Sequence, residues 1–545
     1  MKNRRFSVYI PLLLALAVVI GIFIGNRLSR NAGGNTHASF LVSKANKLDA
    51  VLELINSSYV DSISTDTLVE RAIPQILKNL DPHTAYIPAK EMVGVEEEMR
   101  GNFGGIGVQF SIQNDTVMVV EVISGGPSSK VGILPGDRIV TVNDSTLTVK
   151  GLKNEKVLAK LRGEKGTNVN VGIKRKGYKD LFEFKITRGE IPIFSVDVSY
   201  MVDPTTGYIK VSRFGEHTYQ EFMEGMDKLD QKGMKEVIVD LRGNGGGYLT
   251  SVIKMVNEFL DKGELIVYTE GQAQPRKTFN ADGTGAYRDM GILVLIDDFS
   301  ASASEIFAGA IQDNDRGWIL GRRSFGKGLV QEQIPFKDGS ALRLTVARYY
   351  TPSGRSIQKP YDKGTDEYYK DIMARAIHGE FQVSDSIKYT DTVKYSTLGG
   401  RTVRGGGGIM PDFFIPADTL GFSKYYSKIT QKGLVYQFAL DYADANRKTL
   451  STLDNIPELE KHFKNKDLLQ QFVAFASKKG VPVDNRDLKT SSQIIDHQLK
   501  AYIARNIMGD EGFYPIIKNI DKVLLEAIEQ SKVPIEQKLT GAVTK

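Results

Sequence analysis

Behind three cations at the start of the chain, Lys2, Arg4 and Arg5, residues 6–25 carry no charge. As a helix such a run is about 30 Å long, enough to cross the hydrocarbon core of a bilayer. It is longer than the apolar region of a usual signal peptide. The residues behind it, Asn26-Arg27-Leu28-Ser29-Arg30, make a poor cleavage site. The pattern favours an uncleaved N-terminal membrane anchor and spacer over residues 1–30, the alternative being a signal segment whose cleavage would leave a soluble periplasmic protein. The cations keep its start in the cytoplasm and the rest of the chain on the other side. Residues 31–98 read as helical, because Leu48, Val51, Leu52, Ile55 and Leu68, Ile73, Ile76, Leu77, Leu80 recur mostly at three- and four-residue spacing. Asp81-Pro82-His83 ends that stretch, since proline disfavours helix at the residue before it.

The period changes at about residue 99. Short β-rich runs at 117–122, 138–142, 169–174 and 181–187 alternate with turns bearing Gly and Pro, which predicts a small β-rich domain over 99–190. Residues 191–420 alternate strands and helices, the pattern of a layered α/β core. Strands are expected at 208–212, 236–241, 292–296 and 317–321, and helices at 217–231 and 302–314. Residues 421–545 return to helical spacing and carry no chemical constellation. They are expected to be a helical packing or partner module. The whole is a multidomain α/β chain, and 545 residues are too many for one core.

Composition narrows the function. Hydrophobic residues make up 41% and charged residues 25%, the balance of a globular protein. A net charge of +6, without a basic stripe interleaved with aromatics, gives no footprint for nucleic acid. The absence of cysteine excludes a thiol nucleophile, disulfides and a thiolate metal site.

Two segments carry candidate chemistry. In Phe299-Ser300-Ala301-Ser302-Ala303-Ser304-Glu305, a serine-rich turn follows a buried strand and opens a helix, where the first amides can stabilise an oxyanion. Ser is also a common helix cap, so the turn alone leaves open which serine reacts, and whether any does. In Ser324-Phe325-Gly326-Lys327-Gly328, a lysine stands between glycines. The helix after the turn carries the chain about 18 Å away. The strand at 317–321 returns it by about 17 Å, close to the start of the helix. A lysine desolvated there can take a serine proton without a histidine.

Together these segments resemble the carboxyl-terminal processing peptidases. Further matches are Asp240-Leu241-Arg242-Gly243-Asn244-Gly245-Gly246-Gly247, Tyr349-Tyr350-Thr351-Pro352-Ser353-Gly354-Arg355, Gly408-Ile409-Met410-Pro411-Asp412 and Leu80-Asp81-Pro82-His83. The resemblance spans about residues 45–415. It implies Ser302 as nucleophile and Lys327 as base. Gln331, four residues on, would share a strand face with Lys327 and orient its amine. Glu305 is a supporting residue, and the amides of Ala303 and Gly246 are the oxyanion donors. The segments Gly104-Gly105-Ile106-Gly107-Val108, Ser124-Gly125-Gly126-Pro127 and Gly132-Ile133-Leu134-Pro135-Gly136-Asp137 resemble a PDZ domain. In that family, amides of the stretch Gly105, Ile106, Gly107 and Val108 receive a peptide's terminal carboxylate. The peptide then adds as a strand. Arg162 is either a link from this domain to the core or an ordinary exposed arginine.

The resemblance implies a serine endopeptidase tethered to a bacterial inner membrane with its catalytic part in the periplasm. Its substrates are proteins or peptides with accessible C-termini. An adaptor protein or a homo-oligomer is compatible with it, and the chemistry needs no cofactor or metal. From another class comes a membrane-anchored PDZ scaffold with a dead protease core, against which stand the intact Ser302, Lys327 and Gln331. Gly321-Arg322-Arg323-Ser324-Phe325-Gly326-Lys327-Gly328 nearly spells a phosphate-binding loop. It fails where Gly328 replaces the metal-binding Ser or Thr, and a strand rather than a helix is expected next. A Ser-His-Asp hydrolase lacks its Gly-x-Ser-x-Gly elbow. His83 and His217 have surface or capping roles open to them.

Overall fold

The structure, a computed structural model, describes residues 17–21, 47–113, 115–123, 125–387, 393–419 and 421–533. Apart from the helical residues 17–21, the apolar run at 6–25 lies outside them. Among the described residues no helix is long and apolar enough to cross a membrane. The chain divides after Ala72, and the described residues of the first unit include helix Lys47–Ser58 and most of helix Thr65–Leu77.

In the second unit, a six-stranded sheet forms the middle layer. Its order is Val196–Met201, Thr206–Val211, Glu236–Asp240, Gly291–Ile296, Trp318–Gly321 and Phe413–Phe414. The first pair is antiparallel and the rest are parallel. Alternate residues of each strand face opposite ways. Ile209, Val211, Val237, Val239, Ile292, Val294 and Ile296 pack with helices Thr218–Asp230, Leu249–Asn257 and Ala303–Asp313. Tyr208, Ile238, Leu293, Leu295, Trp318 and Leu320 face the other way. They are covered by Val523, Leu524, Ala527 and Ile528 of helix Lys522–Ser531. Burial on both faces is why these strands read as unbroken apolar runs.

A second sheet lies against this core. Its long strand, Ala341–Tyr350, pairs on one side with Leu329–Pro335, and on the other with Ala85–Ile87 and Leu265–Glu270. The strand Ala85–Ile87 interrupts a stretch that spacing marks as helical. It is made by pairing with residues far away in sequence, so no local period announces it.

The small domain has the sheet order Val108–Gln113, Thr116–Val122, Arg138–Val142, Asn168–Lys174, Phe182–Thr187. Its core includes Val117, Val119, Ile139, Val171 and Ile186, with Val157 and Leu161 of helix Asn154–Leu161. Val108–Gln113 is an edge strand.

The helices between Lys424 and Ile517 build their own core around Ile429, Phe438, Phe472, Ile495 and Leu499. The same region touches both neighbours. A Cβ at Gly136 of the small domain would lie 2.4 Å from Asp444 Oδ1. On the α/β core, Arg242 donates to Asp521 at 2.8 and 2.7 Å, and Tyr514 Oη to Asp197 Oδ2 at 2.8 Å. The last helix is therefore a layer of the core rather than an appendage. Leu524→Ala, leaving a cavity under that helix, is expected to cost about 3 kcal/mol, read by chemical denaturation followed through the core's single tryptophan, Trp318.

Candidate active site

The strand Gly291–Ile296 ends below a short turn, and Ser302 stands at the start of helix Ala303–Asp313. Its backbone has φ 56° and ψ −114°, left-handed for a residue with a side chain. Such a conformation costs on the order of 1–3 kcal/mol and persists only where the surroundings enforce it. The three serines of the turn differ sharply. Ser300 Oγ donates to Leu241 O at 2.8 Å, and Ser304 Oγ to Asn244 O at 2.9 Å, both side chains being fully buried. They stitch the turn to the glycine-rich loop after strand Glu236–Asp240. Ser302 is half-buried, and its Oγ proton is donated to no described residue. The loop lies directly on it: a Cβ at Gly246 would come within 2.7 Å of Ser302 Cβ, so only glycine fits.

Glu305, fully buried one turn into the helix, joins this turn to the lysine loop. Its carboxylate accepts from the amides of Ser302 (2.8 Å), Gly326 (2.8 Å) and Lys327 (2.9 Å), and from Ser324 Oγ at 2.5 Å. Burial pushes this carboxyl up to about 7, against the four donors, which favour the ionised form. Ser302 and Lys327 thus hang from one oxygen, Oε2, by their backbone amides. On the carbonyl side, Tyr349 Oη donates to Lys327 O and lies 3.1 Å from Ser302 O.

Burial lowers the Lys327 amine below the usual lysine range, helped by the charge of Arg343 and opposed by those of Glu305 and Asp81. No hydrogen bond from Lys327 Nζ to a described residue is formed. Asp81 is buried and accepts from the His83 and Thr84 amides (2.8 and 2.9 Å), Thr84 Oγ1 (2.6 Å) and Thr345 Oγ1 (3.1 Å). Burial raises its carboxyl, but these donors win and hold it below the ordinary value.

Residues 205–367 match peptidase family S41, residues 104–186 a PDZ domain, and residues 425–509 a family of unknown function. The carboxy-terminal processing protease CtpA of Bacillus subtilis (strain 168) is 34% identical over 361 residues, 66% of this chain and 76% of that protein. The chain belongs to the carboxyl-terminal processing proteases. The carboxy-terminal-processing protease of Bartonella bacilliformis is 38% identical over 313 residues, 56% of this chain and 71% of its own length. Among solved structures, the photosystem II D1 C-terminal processing protease is 28% identical, covering 57% of this chain and 89% of its own, with a TM-score of 0.33.

Not every expected partner of this serine-type processing protease meets in the structure. Lys327 lies in the loop ahead of strand Leu329–Pro335, outside the strand that carries Gln331, so strand alternation does not carry from one to the other. Gln331 Nε2 instead donates to Thr345 Oγ1 at 3.2 Å, joining the chain that leads to Asp81. The Ala303 amide forms no hydrogen bond with a described residue and is free to receive an oxyanion. The Gly246 amide is donated to Asn244 Oδ1 at 2.9 Å and must leave it to act as a second donor.

His83 is not a surface residue of a helix. It lies half-buried in a turn, bonded to Tyr368 Oη at 2.9 Å, and burial and the charge of Lys327 bring it down to about 4, so it is neutral at pH 7. Arg162 is not an ordinary exposed arginine: it pairs with Glu97 at 3.2 Å, its guanidinium 4.3 Å from the Phe103 ring centroid.

The other shared motifs support the Ser302 helix from its far end. Arg355 and Asp313 form a fully buried pair at 2.7 Å, and Asp412 accepts from Gln312 Nε2 at 3.0 Å and the Ile319 amide at 2.9 Å. Asp81, Thr345, Arg343 and Tyr349 were beyond sequence reasoning as site residues. The only signal was that Asp81 and Tyr349 sit inside recognised motifs.

In the PDZ domain, Gly105 closes a short strand pairing with Gly189, and Val108 opens the edge strand opposite Val122. Between them Ile106 is buried and its carbonyl accepts from Ser128 N at 2.9 Å, while the Gly107 carbonyl accepts from Ile123 N at 3.0 Å. Both carbonyls are therefore taken, and the amides of Ile106 and Gly107 form no hydrogen bond with a described residue. Gly107 has φ +75°, the turn that exposes successive amides.

Glu305→Gln keeps the shape but sets an NH2 group against amide donors. It is expected to cost about 3 kcal/mol and to abolish cleavage, with thermal melting and peptide hydrolysis as readouts.

Proposed function

We propose that this carboxyl-terminal processing protease is an endopeptidase tethered to a bacterial inner membrane by residues 1–30 and working in the periplasm. In this reading it binds substrate C-termini at the PDZ loop 105–108 and cleaves with a Ser302–Lys327 dyad. The observation that carries the dyad is the contrast among the serines. Ser300 and Ser304 are spent on backbone carbonyls, whereas Ser302 keeps its hydroxyl proton free in a strained turn. The amine on the facing loop is one whose charge burial disfavours.

Neutral Lys327 Nζ accepts the proton of Ser302 Oγ as the oxygen attacks the scissile carbonyl. The oxyanion that forms is met by the Ala303 amide at the positive end of the helix. The ammonium then returns the proton to the leaving amine as the peptide bond breaks, leaving an acyl ester on Ser302. Lys327 next takes a proton from water, hydroxide adds to the ester, and collapse returns the proton to Ser302 Oγ and frees a carboxylic acid. Because both backbones are pinned to Glu305, bringing Oγ and Nζ together falls to side-chain torsions.

The free amides at Ile106 and Gly107 and the open edge of strand Val108–Gln113 support carboxylate capture with β-addition. Lys2, Arg4 and Arg5 ahead of the uncharged run support the anchor.

With the full-length enzyme in detergent, Ser302→Ala and Lys327→Ala should each lower kcat/KM for an unstructured peptide with an apolar free C-terminus by at least about a thousandfold. Wild type should cleave the amidated peptide more weakly. Equal cleavage by all three proteins would sink the dyad, and indifference to amidation would sink the carboxylate site. Fractionation of cells making full-length and 31–545 protein tests the tether: only the former should stay in alkali-washed membranes.

Only the neutral amine accepts a proton, so kcat/KM should fall as pH drops through the Lys327 pKa, which lies below the ordinary lysine value. Arg343 lowers that pKa further, so Arg343→Gln should move the acid limb of the profile to higher pH.

A further inference from the structure

Tyr349 lies on strand Ala341–Tyr350 with its ring 1% exposed. It grips the lysine loop twice. Its amide donates to Gly328 O at 3.0 Å, and its hydroxyl to Lys327 O, so one residue holds two consecutive carbonyls. The same hydroxyl is 3.1 Å from Ser302 O, an oxygen that also receives the Glu305 and Ile306 amides at 2.9 Å each. A carbonyl has two lone pairs, and those of Ser302 already have donors. The single Tyr349 proton therefore goes mainly to the closer oxygen, that of Lys327, with Ser302 as its secondary acceptor.

Glu305 receives the amides of Ser302 and Lys327, while Tyr349 bridges their carbonyls. Together they hold the backbones of both residues from both sides, and the Glu305 amide also caps the Ser302 hydroxyl oxygen, leaving its proton free. The hydroxyl stays a donor at any working pH, because burial, aided by the charge of Glu305, raises its ionisation well above the ordinary tyrosine value.

We infer that Tyr349 is a positioning residue for catalysis, its hydroxyl fixing the distance between the backbones of Ser302 and Lys327. This rests on the Ser302–Lys327 dyad. A bond holding geometry rather than binding substrate acts on the chemical step, and misplacement of reacting groups by a fraction of an ångström is costly there.

Tyr349→Phe removes the hydroxyl alone. In the full-length enzyme it should lower kcat by about tenfold to a hundredfold and leave KM within about twofold. The acid limb of the pH profile should rise, since a loosened loop admits water to the Lys327 amine. Replacement of Tyr349 by 3,5-difluorotyrosine, which retains the ring and a donor hydroxyl, should keep kcat and profile near wild type. Unchanged kcat in Tyr349→Phe would overturn the inference. So would a fall in kcat with no change in the pH profile, or a fall shared by the difluorotyrosine enzyme. Should Tyr349→Phe fail to fold, judged by its melt, the difluorotyrosine enzyme decides: a donor hydroxyl that fails to restore kcat overturns the inference. Failure of the dyad itself is read separately, as cleavage surviving in Ser302→Ala or Lys327→Ala.

Discussion

One buried carboxylate sets the terms for the rest of the protease core. Glu305 offers its oxygens to three amides and a hydroxyl drawn from two loops, the Ser302 turn and the lysine loop. A charge buried this deeply is tolerable only if its hydrogen-bonding positions are filled. The lysine loop must therefore lie where its amides converge, and the Ser302 turn must accept its strained dihedrals. Once so placed, the loop has its other groups satisfied from outside. The Phe325 amide bonds to Ser300 O (3.0 Å), Gly328 N to Gln358 Oε1 (2.8 Å), and Gly326 O receives the Lys359 amide (3.0 Å). Behind it, Arg375 donates to the carbonyls of Arg323 (2.7 Å) and Ser324 (3.1 Å) while Glu380 bridges Arg375 and Arg323. The helix Thr365–Ile377 thus acts as a backstop for the loop.

The electrostatic setting of Lys327 follows from the same packing. Desolvation and Arg343 disfavour its charge, Glu305 and Asp81 favour it, and His83 stays neutral beside it. These groups come from the N-terminal turn at 81–83, the helix at 303–313 and the strand at 341–350. An amine poised between opposing influences of this kind has its charged and neutral forms brought closer in free energy than in an exposed lysine.

The C-terminal helices take on a definite place in this architecture. Helix Lys522–Ser531 closes the second face of the central sheet, Arg242 bridges Asp240 to Asp521, and the helix Leu434–Leu450 reaches Gly136 of the PDZ domain. Burial would raise the Asp240 carboxyl, but Arg242 and Lys210 hold it well below the ordinary range, so this cluster stays ionised. The region matched to a family of unknown function, residues 425–509, thus touches the PDZ domain, and the segment that follows it packs on the protease core.

What could be read from the sequence was what repeats locally. The apolar runs at 236–241 and 292–296, the helical spacing at 217–231 and 302–314, and the turn-bounded strands of 99–190 all appear as elements, because side-chain period and burial on a known face are properties of neighbouring residues. The joining of the Ser302 turn to the lysine loop was also legible, since a helix out and a strand back is simple geometry. Tertiary structure alone decided the rest. It shows which serine keeps a free hydroxyl, a matter of carbonyls from residues 241 and 244. It sends Gln331 to Thr345 rather than to Lys327, because Lys327 lies in a loop outside the strand that carries Gln331. It brings Asp81, His83 and Tyr349 to the same place as Lys327. Hydrogen bonds and charges act through space, and pairs such as Asp81 and Thr345, 264 residues apart, leave no periodic trace in the chain that carries them.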